Sequence, residues 1–283
     1  MVTRVVVVGS MNFDMVARVE RLPRRHEKIR AAEFSFCPGG AAANTAYWLA
    51  RNGLMVMMVG AVGADHQGSE CLNALKSAGV DTNSVVVTGG ARTGVAMVWS
   101  TARDKRMITA PGPPIDVALE NFDSSILRPG DIVHVASRPS SALRQFCYMA
   151  ADAGAKVSVE FNGRSMEDIR PIVSIAFMNA DELRRVLGID WQSLTPDIVA
   201  EFLPAPDREF VVTLGARGAV VVTRNGAVRA DTRRVVALDR TGAGDAFDAG
   251  YLMVRGQGGD EHAALRRGLD LASIVLQSVG ARS

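Results

Sequence analysis

Short apolar runs rich in β-branched residues recur along the chain, and stretches with helical spacing lie between them. The first run, residues 4–8, contains four consecutive valines and ends at Gly9. Such a run is typical of a strand that is buried on both faces of a parallel sheet. The same pattern predicts strands at 54–59, 131–135, 156–159, 175–178, 210–213 and 219–223. Because helical spacing fills intervals such as 41–51 and 68–77, the order of elements predicts an α/β fold, a three-layer sandwich with helices on both faces of a mainly parallel central sheet.

Two segments, at about 15–36 and 93–109, break this rhythm because their apolar and polar side chains alternate. Alternation of period two predicts half-exposed antiparallel strands, with a turn at 102–105 joining the second pair. We expect these strands to form a small discontinuous β-sheet that projects from the core as a lid over a ligand. The predicted organisation is a core of residues 1–11, 39–89 and 111–283 with a β lid of residues 12–38 and 90–110.

The composition of the 283 residues is that of an ordinary globular protein, with 48% apolar residues, 22% charged residues and a net charge of +2. This small charge predicts no nucleic-acid partner and no membrane partner. No apolar run approaches the roughly 18 residues of a membrane helix, and the N-terminus lacks the zones of a signal peptide. Three dispersed cysteines without a CxxC motif indicate neither a disulfide framework nor a zinc site. These features predict a cytoplasmic location.

The segment 239–251 carries the strongest indication of chemistry. Two glycines and an alanine directly precede an apolar helical run, so the backbone N–H groups of Ala243, Gly244 and Asp245 can converge at a helix N-terminus. Such a cradle suits the negative charge of a phosphoryl group during transfer. The Asp245 carboxylate lies at its edge and can accept the proton of an attacking hydroxyl. The structural alternative is a glycine-rich loop in which Asp245 only caps the helix.

The longer sequence around Asp245 resembles the C-terminal signature of the ribokinase-like (PfkB) carbohydrate kinases, written D-T-T-G-A-G-D-x-F-x-x-G. The matching positions are Asp239, Thr241, residues 242–245, Phe247 and Gly250, and Arg240 replaces the common Thr. Segments 9–14, 39–46 and 60–68 resemble other family motifs in the same order along almost the whole chain. The resemblance implies a ribokinase-like fold and an ATP-dependent kinase. In it, Asp245 would be the general base, and Gly242, Ala243 and Gly244 would belong to the anion hole.

The resemblance also implies an acceptor pocket lined by short polar side chains and glycines, namely Asn12, Asp14, Gly39, Gly40 and Asn44. Short polar side chains offer donors and acceptors to sugar hydroxyls, and glycines let a sugar approach the backbone. A Gly-Gly turn with a capping Asn is the alternative. The segment 160–164 resembles the D-x-N-x-R element of some relatives, with Glu for Asp, which places Arg164 at the phosphate-transfer cleft.

Two elements resemble the family's magnesium and nucleotide sites. Asn179 and Glu182 match an NxxE element that orders the water shell of Mg²⁺, although an Asn and a Glu at this spacing also form a capping box. The loop of Thr213, Gly215 and Gly218 resembles the one beneath ATP, with a plain strand-to-strand turn as its rival. The resemblance places the adenine pocket near two residues of the last helix, Ala272 and Ser273.

Further expectations concern ions, substrate and assembly. Asp239 matches a position that holds a monovalent cation in some relatives, but the neighbouring Arg240 leaves K⁺ dependence open. The expected reaction transfers the γ-phosphate of ATP to a hydroxymethyl group of a small sugar, a ribose-like pentose or a ketohexose. A nucleoside kinase of the same family is the first alternative, and a non-catalytic sugar- or nucleotide-binding regulator is the second. In this family the exposed edges of lid sheets often pair between subunits, so the resemblance implies a homodimer. The few residues after the final helix predict a trimmed nucleotide pocket.

Overall fold

A computed structural model of the chain describes residues 3–101, 105–164, 166–204, 207–233 and 235–282. The turn expected at 102–105 lies largely outside these ranges. The strands, in chain order, are β1 (Arg4–Gly9), β2 (Asn12–Arg18), β3 (Glu33–Gly39), β4 (Met55–Gly63), β5 (Val85–Thr88), β6 (Gly94–Ser100), β7 (Lys105–Ala110), β8 (Ile132–Ala136), β9 (Lys156–Glu160), β10 (Val173–Asn179), β11 (Glu209–Thr213), β12 (Ala219–Thr223) and β13 (Gly226–Ala230). The α-helices are α1 (Ala41–Arg51), α2 (His66–Ser77), α3 (Asp116–Glu120), α4 (Ser141–Asp152), α5 (Ala180–Leu187), α6 (Pro196–Phe202), α7 (Ala243–Gly256) and α8 (Glu261–Val275).

The larger of two sheets has nine strands in the order β13-β12-β11-β10-β9-β8-β1-β4-β5. Pairing is parallel from β11 through to β5, and β12 and β13 add an antiparallel edge. The prediction of a mainly parallel sheet is therefore confirmed. Strands β5 and β13 were not predicted, because β5 has only four residues and β13 alternates buried and exposed positions within a short hairpin.

Two hydrophobic layers, one on each face of this sheet, form the core. Successive residues of β1 enter opposite layers: Val6 and Val8 pack in one, and Val5 and Val7 pack in the other. All four valines are fully buried. Burial of one such side chain contributes about 1.5–3 kcal/mol, which explains why the strand has no polar alternation. The helices that cover the two faces complete the predicted sandwich.

The second sheet has four strands in the order β3-β2-β6-β7. The pairs β2–β3 and β6–β7 are antiparallel, as predicted, but the central pair β2–β6 is parallel, and the expectation of purely antiparallel strands was wrong there. The reason lies in the connection, because the chain passes through α1, β4, α2 and β5 of the large sheet before it returns as β6. A long crossover of this kind is what a parallel pair requires.

Alternate residues of the small sheet face opposite sides. Val16, Ala96 and Val98 form a buried inner cluster against which Val279 packs. Phe36, Met97 and other apolar side chains of the opposite, outer face are exposed. Among the residues the structure describes, no helix has the length and apolar character needed to cross a bilayer.

Candidate active site

The site is built around the N-terminus of α7. Gly242 caps the helix with φ +79°, a left-handed conformation that favours glycine, and Asp245 lies in the first turn. Buried side chains such as Phe247 and Leu252 fix the helix in the core. A Cβ atom added to Gly244 would meet no heavy atom within 4 Å, so the first turn faces open space. Backbone N–H groups of a first helical turn have no partner within the helix, and this opening is where an anion would meet them.

The Asp245 carboxylate is tied to helix α1. Asn44 donates from Nδ2 to Oδ2 of Asp245 at 2.7 Å, and Thr45 donates from its hydroxyl to the Asp245 carbonyl at 3.3 Å. Burial raises the pKa of Asp245, and the Asn44 hydrogen bond, Lys105 and Arg282 oppose this rise. The structure thus joins the predicted base directly to one residue of the predicted acceptor pocket.

The other predicted acceptor residues gather at the junction of the two sheets. Asn12 pairs with Gly39 across β2 and β3, and Gly40 is the N-cap of α1. Asp14 is 5% exposed, and no described residue forms a hydrogen bond with its Oδ1. A Cβ at position 39 would lie 2.2 Å from Oδ2 of Asp14, so glycine is required for this close approach. Burial raises the pKa of Asp14 to about 6.

The sequence did not predict a role for Arg282, whose side chain contacts two of the predicted acceptor residues. Its Nε donates to Oδ1 of Asn44 at 2.8 Å, and its Nη2 donates to the Gly39 carbonyl at 3.0 Å. The indole of Trp48 donates to the Ala281 carbonyl at 2.9 Å and fixes the preceding residue. A single Arg after the last helix carries no local pattern that could have indicated this position. The segment after the last helix thus places a side chain beside the predicted acceptor residues Asn44 and Gly39, and the trimmed nucleotide pocket stays a prediction.

Asp239, the predicted monovalent-cation residue, is 2% exposed and accepts hydrogen bonds at both oxygens. Its Oδ1 accepts from the Thr241 backbone N–H at 3.1 Å, the Thr241 hydroxyl at 2.9 Å and the Ser100 hydroxyl at 3.1 Å. Its Oδ2 accepts from the Gly280 N–H at 3.0 Å. The carboxylate therefore joins the loop before α7, the small sheet and the C-terminal segment, and a cation there would share these oxygens.

The predicted magnesium residues lie where β10 ends and α5 begins. The Asn179 side chain accepts from the N–H groups of Asp181 and Glu182, and the Glu182 carboxylate accepts from the Asn179 N–H at 3.0 Å. The capping-box alternative is thus present in the structure. Burial raises the pKa of Glu182, which leaves a partly desolvated carboxylate at this helix start. A carboxylate in that setting gains from a nearby cation, so the cap and a contact to hydrated Mg²⁺ are compatible.

Further carboxylates and Arg164 surround this position. Burial and the charges of Asp245 and Glu182 raise the pKa of Glu160 to about 8, and burial and these same neighbours raise that of Asp248. Arg164 opposes the rise in Glu160 and Glu182. Such mutual repulsion fits a site that receives a cation. No group of three or more His, Cys, Asp or Glu side chains within the described ranges has metal-binding geometry.

The predicted nucleotide loop connects β11 to β12. Thr213 lies opposite Asn179 in the parallel register of β10 and β11, so the two predicted elements are neighbours at one sheet edge. A Cβ at position 215 would meet nothing within 4 Å, whereas one at 218 would lie 2.0 Å from the Ala230 carbonyl. Gly215 therefore borders open space, whereas Gly218 is required by the close approach of the Ala230 carbonyl. The nucleotide role of both glycines stays a prediction.

The predicted adenine residues lie on α8, which packs along α7. Ala272 packs at the edge of the core layer. The Ser273 hydroxyl donates to the Leu269 carbonyl at 2.7 Å and is thus engaged within its own helix. Among the hydrogen bonds of the described residues, none links Ala272 or Ser273 to Asp245 or Asn44.

Comparison with known proteins identifies the family of this chain. The sequence model of the pfkB family carbohydrate kinases matches residues 2–283. The ATP-dependent ribose-1-phosphate kinase of Halopiger xanaduensis is 28% identical over 99% of this chain and 94% of its own length. The ribokinase of Bacillus subtilis is 27% identical over 98% of this chain and 94% of its own length, and fructokinase-1 of Oryza sativa is 31% identical over 86% and 80%.

Solved structures show the same fold. The structure of Arabidopsis thaliana ribokinase complexed with ribose and ATP superposes with a TM-score of 0.79 at 24% identity, covering 100% of this chain and 95% of that chain. The ribokinase-like fold is thereby confirmed. Because the family match spans nearly every residue and includes the loop and helix that carry Asp245, this chain belongs to the pfkB family of carbohydrate kinases, which transfer phosphate to an alcohol group.

Proposed function

We propose that the chain transfers the γ-phosphate of MgATP to a hydroxymethyl group of a small sugar, with Asp245 as the general base. The observation that carries this proposal is the position of Asp245. Its carboxylate lies in the first turn of a helix that faces open space at Gly244, and it accepts a hydrogen bond from Asn44 of the acceptor pocket.

The acceptor is held by Asn12, Asp14 and Asn44 beside the glycines that end β3. The unpaired Oδ1 of Asp14 supports this role, because a buried carboxylate oxygen without a donor is unfavourable until a ligand hydroxyl supplies one. Asp245 then takes the proton of the attacking hydroxyl. Its Oδ2 is engaged by Asn44, so that Oδ1 is the oxygen assigned to the proton.

The first turn of α7 stabilises the negative charge that develops on the transferred group. Its N–H groups and the helix dipole act without reorganisation, and the small Gly244 leaves room for them to do so. MgATP supplies the phosphoryl group and a metal charge when it is bound. Asn179 and Glu182 would meet the water shell of the metal, Arg164 would lie near the phosphates, and Thr213 and Gly215 would border the nucleotide.

The small sheet acts as a lid in this proposal, formed by residues 12–38 and 90–110. It brings Asp14 to the site from its inner face, and the buried bond from Ser100 to Asp239 ties it to the loop before α7. Exclusion of water by such a cover favours transfer to the sugar over hydrolysis.

A ribose-like pentose or a ketohexose is the proposed acceptor class, since relatives along most of the chain are a ribokinase and a fructokinase. A nucleoside is the second candidate. It is favoured by the resemblance to the nucleoside kinase of Methanothermobacter thermautotrophicus, which is 25% identical over 98% of this chain.

The deciding experiment measures ADP release with MgATP and a panel of pentoses, ketohexoses, sugar phosphates and nucleosides. We expect turnover with a sugar, and we expect Asp245→Asn to lower kcat by on the order of 10²–10⁴-fold with little change in ATP affinity. The Asn side chain keeps the size of the carboxylate and removes its basicity. Near-normal turnover of Asp245→Asn would show that the base lies elsewhere.

A further inference from the structure

We infer that Arg282 is a positioning residue for phosphoryl transfer: its guanidinium fixes the Asn44 amide, and the amide in turn aligns the Asp245 carboxylate. The inference rests on the proposed function, because it assigns Arg282 a part in the reaction at Asp245. Its core is one chain of hydrogen bonds, from Arg282 Nε to Asn44 Oδ1 at 2.8 Å and from Asn44 Nδ2 to Asp245 Oδ2 at 2.7 Å.

The groups at the two ends of this series of hydrogen bonds, Arg282 and Asp245, determine the orientation of the Asn44 amide. A guanidinium has donors and no acceptor, and an ionised carboxylate has acceptors and no donor. Oδ1 of Asn44 must therefore face Arg282, and its Nδ2 must face Asp245. A flipped amide would lose both bonds at once and would place like partial charges together. Arg282 thus excludes the flipped orientation of the Asn44 amide, in which Nδ2 could not donate to the Asp245 carboxylate.

Arg282 is itself held in place before any ligand binds. Its Nη2 donates to the Gly39 carbonyl at 3.0 Å, and the two preceding residues are anchored through the Trp48 indole and the Asp239 carboxylate. Because its backbone is fixed and its guanidinium forms two hydrogen bonds, the Arg282 side chain loses little further conformational freedom when the hydrogen bonds through Asn44 to Asp245 form. Displacements of about 1 Å in a catalytic group can reduce turnover by up to about 100-fold, so rigidity here bears directly on rate.

Electrostatics support the same role. The charged groups that act on the site come from several elements: Lys105 on β7, Asp14 on β2, Glu160 on β9, Glu182 on α5, Asp239 before α7, Asp248 on α7 and Arg282 itself. Arg282 lowers the pKa of both Asp14 and Asp245 against the effect of burial. Its removal would therefore raise both pKa values.

The experiment compares the wild type with Arg282→Ala and Arg282→Lys. A matched control is Arg267→Ala, because Arg267 also donates to an asparagine, through Nη2 to Oδ1 of Asn52 at 2.6 Å, but Asn52 is the C-cap of α1, at the end opposite Gly40. Steady-state kcat and KM are measured from pH 5 to 9. In parallel, the side-chain carboxyl ¹³C resonance of Asp245, assigned by comparison with Asp245→Asn, is titrated in each protein. Thermal unfolding confirms that each variant is folded.

For Arg282→Ala we expect kcat to fall by up to about 100-fold, and both the acid limb of activity and the Asp245 titration to move to higher pH. Arg282→Lys keeps the charge and loses the planar donor geometry, so its titration should stay near that of the wild type while kcat recovers only in part. Arg267→Ala should match the wild type in both measurements.

An unshifted Asp245 titration in Arg282→Ala overturns the inference. So does an equal loss of kcat in Arg267→Ala, which would mark a general effect on folding. A higher kcat/KM in Arg282→Ala also overturns it, since the side chain would then obstruct the acceptor. If the wild type phosphorylates no compound of the panel, the proposed function fails, and the titrations still decide whether Arg282 acts on Asp245.

Discussion

At the scale of single residues, the buried carboxylate of Asp14, a proposed acceptor-binding group, is expected to lower the stability of the folded protein near neutral pH. Its carboxyl is buried and its pKa is raised to about 6 from an ordinary 3.8. The folded state therefore binds a proton more tightly than the unfolded state does. The stability that this proton provides is fully present below pH 3.8 and is lost as the pH rises through about 6.

We expect Asp14→Asn to remove this pH dependence, because the amide does not ionise. The difference in free energy of unfolding between the variant and the wild type should grow in favour of the variant from pH 4 to pH 7, by up to about 3 kcal/mol. Urea denaturation at several pH values measures the difference. The control is Asp270→Asn, which changes an exposed carboxylate of α8. A difference between wild type and Asp14→Asn that is constant with pH would contradict the prediction.

At the scale of elements, two glycines at the start of α7 have different surroundings. A Cβ at Gly242 would lie 2.3 Å from the Cβ of Ala281 at a backbone φ of +79°, whereas one at Gly244 would enter open space. Both glycines belong to the same loop and helix start. One is needed to build the structure, and the other leaves room where the phosphoryl group is proposed to bind.

Gly244→Ala should therefore leave stability unchanged or raise it by up to about 1 kcal/mol, since alanine is the better helix former. Its methyl group should lower kcat/KM for ATP at least tenfold by filling the cradle. Gly242→Ala, the matched substitution two residues earlier, should lower stability as well as activity. Calorimetry and ADP release on the same samples test the pair. Full activity in Gly244→Ala would count against an anion site at this helix start.

The sequence predicted well those helices and strands that depend on the local pattern of residues. The helix expected at 41–51 spans Ala41–Arg51, and the apolar runs became strands of the large sheet. The parallel pairing of β2 with β6 was missed because it depends on where the chain returns after a long crossover. In the site, Asn44 and Asp245 lie in recognisable motifs, whereas Arg282 becomes informative only when the last residues fold back onto α1.

At the scale of the whole molecule, the outer face of the small sheet is the feature that the monomer leaves unexplained. A row of apolar side chains crosses all four strands in register: Phe36, Met15, Met97 and Ile108. Three of them are strongly exposed, at 59% for Phe36, 43% for Met97 and 57% for Ile108. Contiguous apolar patches of this kind mark association surfaces, and we propose that the lid face pairs with a second copy of the chain.

Sedimentation of the purified protein should accordingly give the mass of a dimer. Phe36→Lys places a charge at the β3 end of the row and should weaken association at least about 30-fold, the loss that follows when an aromatic contact worth about 2 kcal/mol is removed. Met149→Lys is the control, because Met149 on α4 is also exposed, at 40%, but lies outside this face. The inner face, with Asp14 and Val16, is unchanged by Phe36→Lys, so loss of the dimer is expected without loss of folding. A monomeric wild type, or a Phe36→Lys protein that sediments as the wild type does, would exclude this face as the dimer contact.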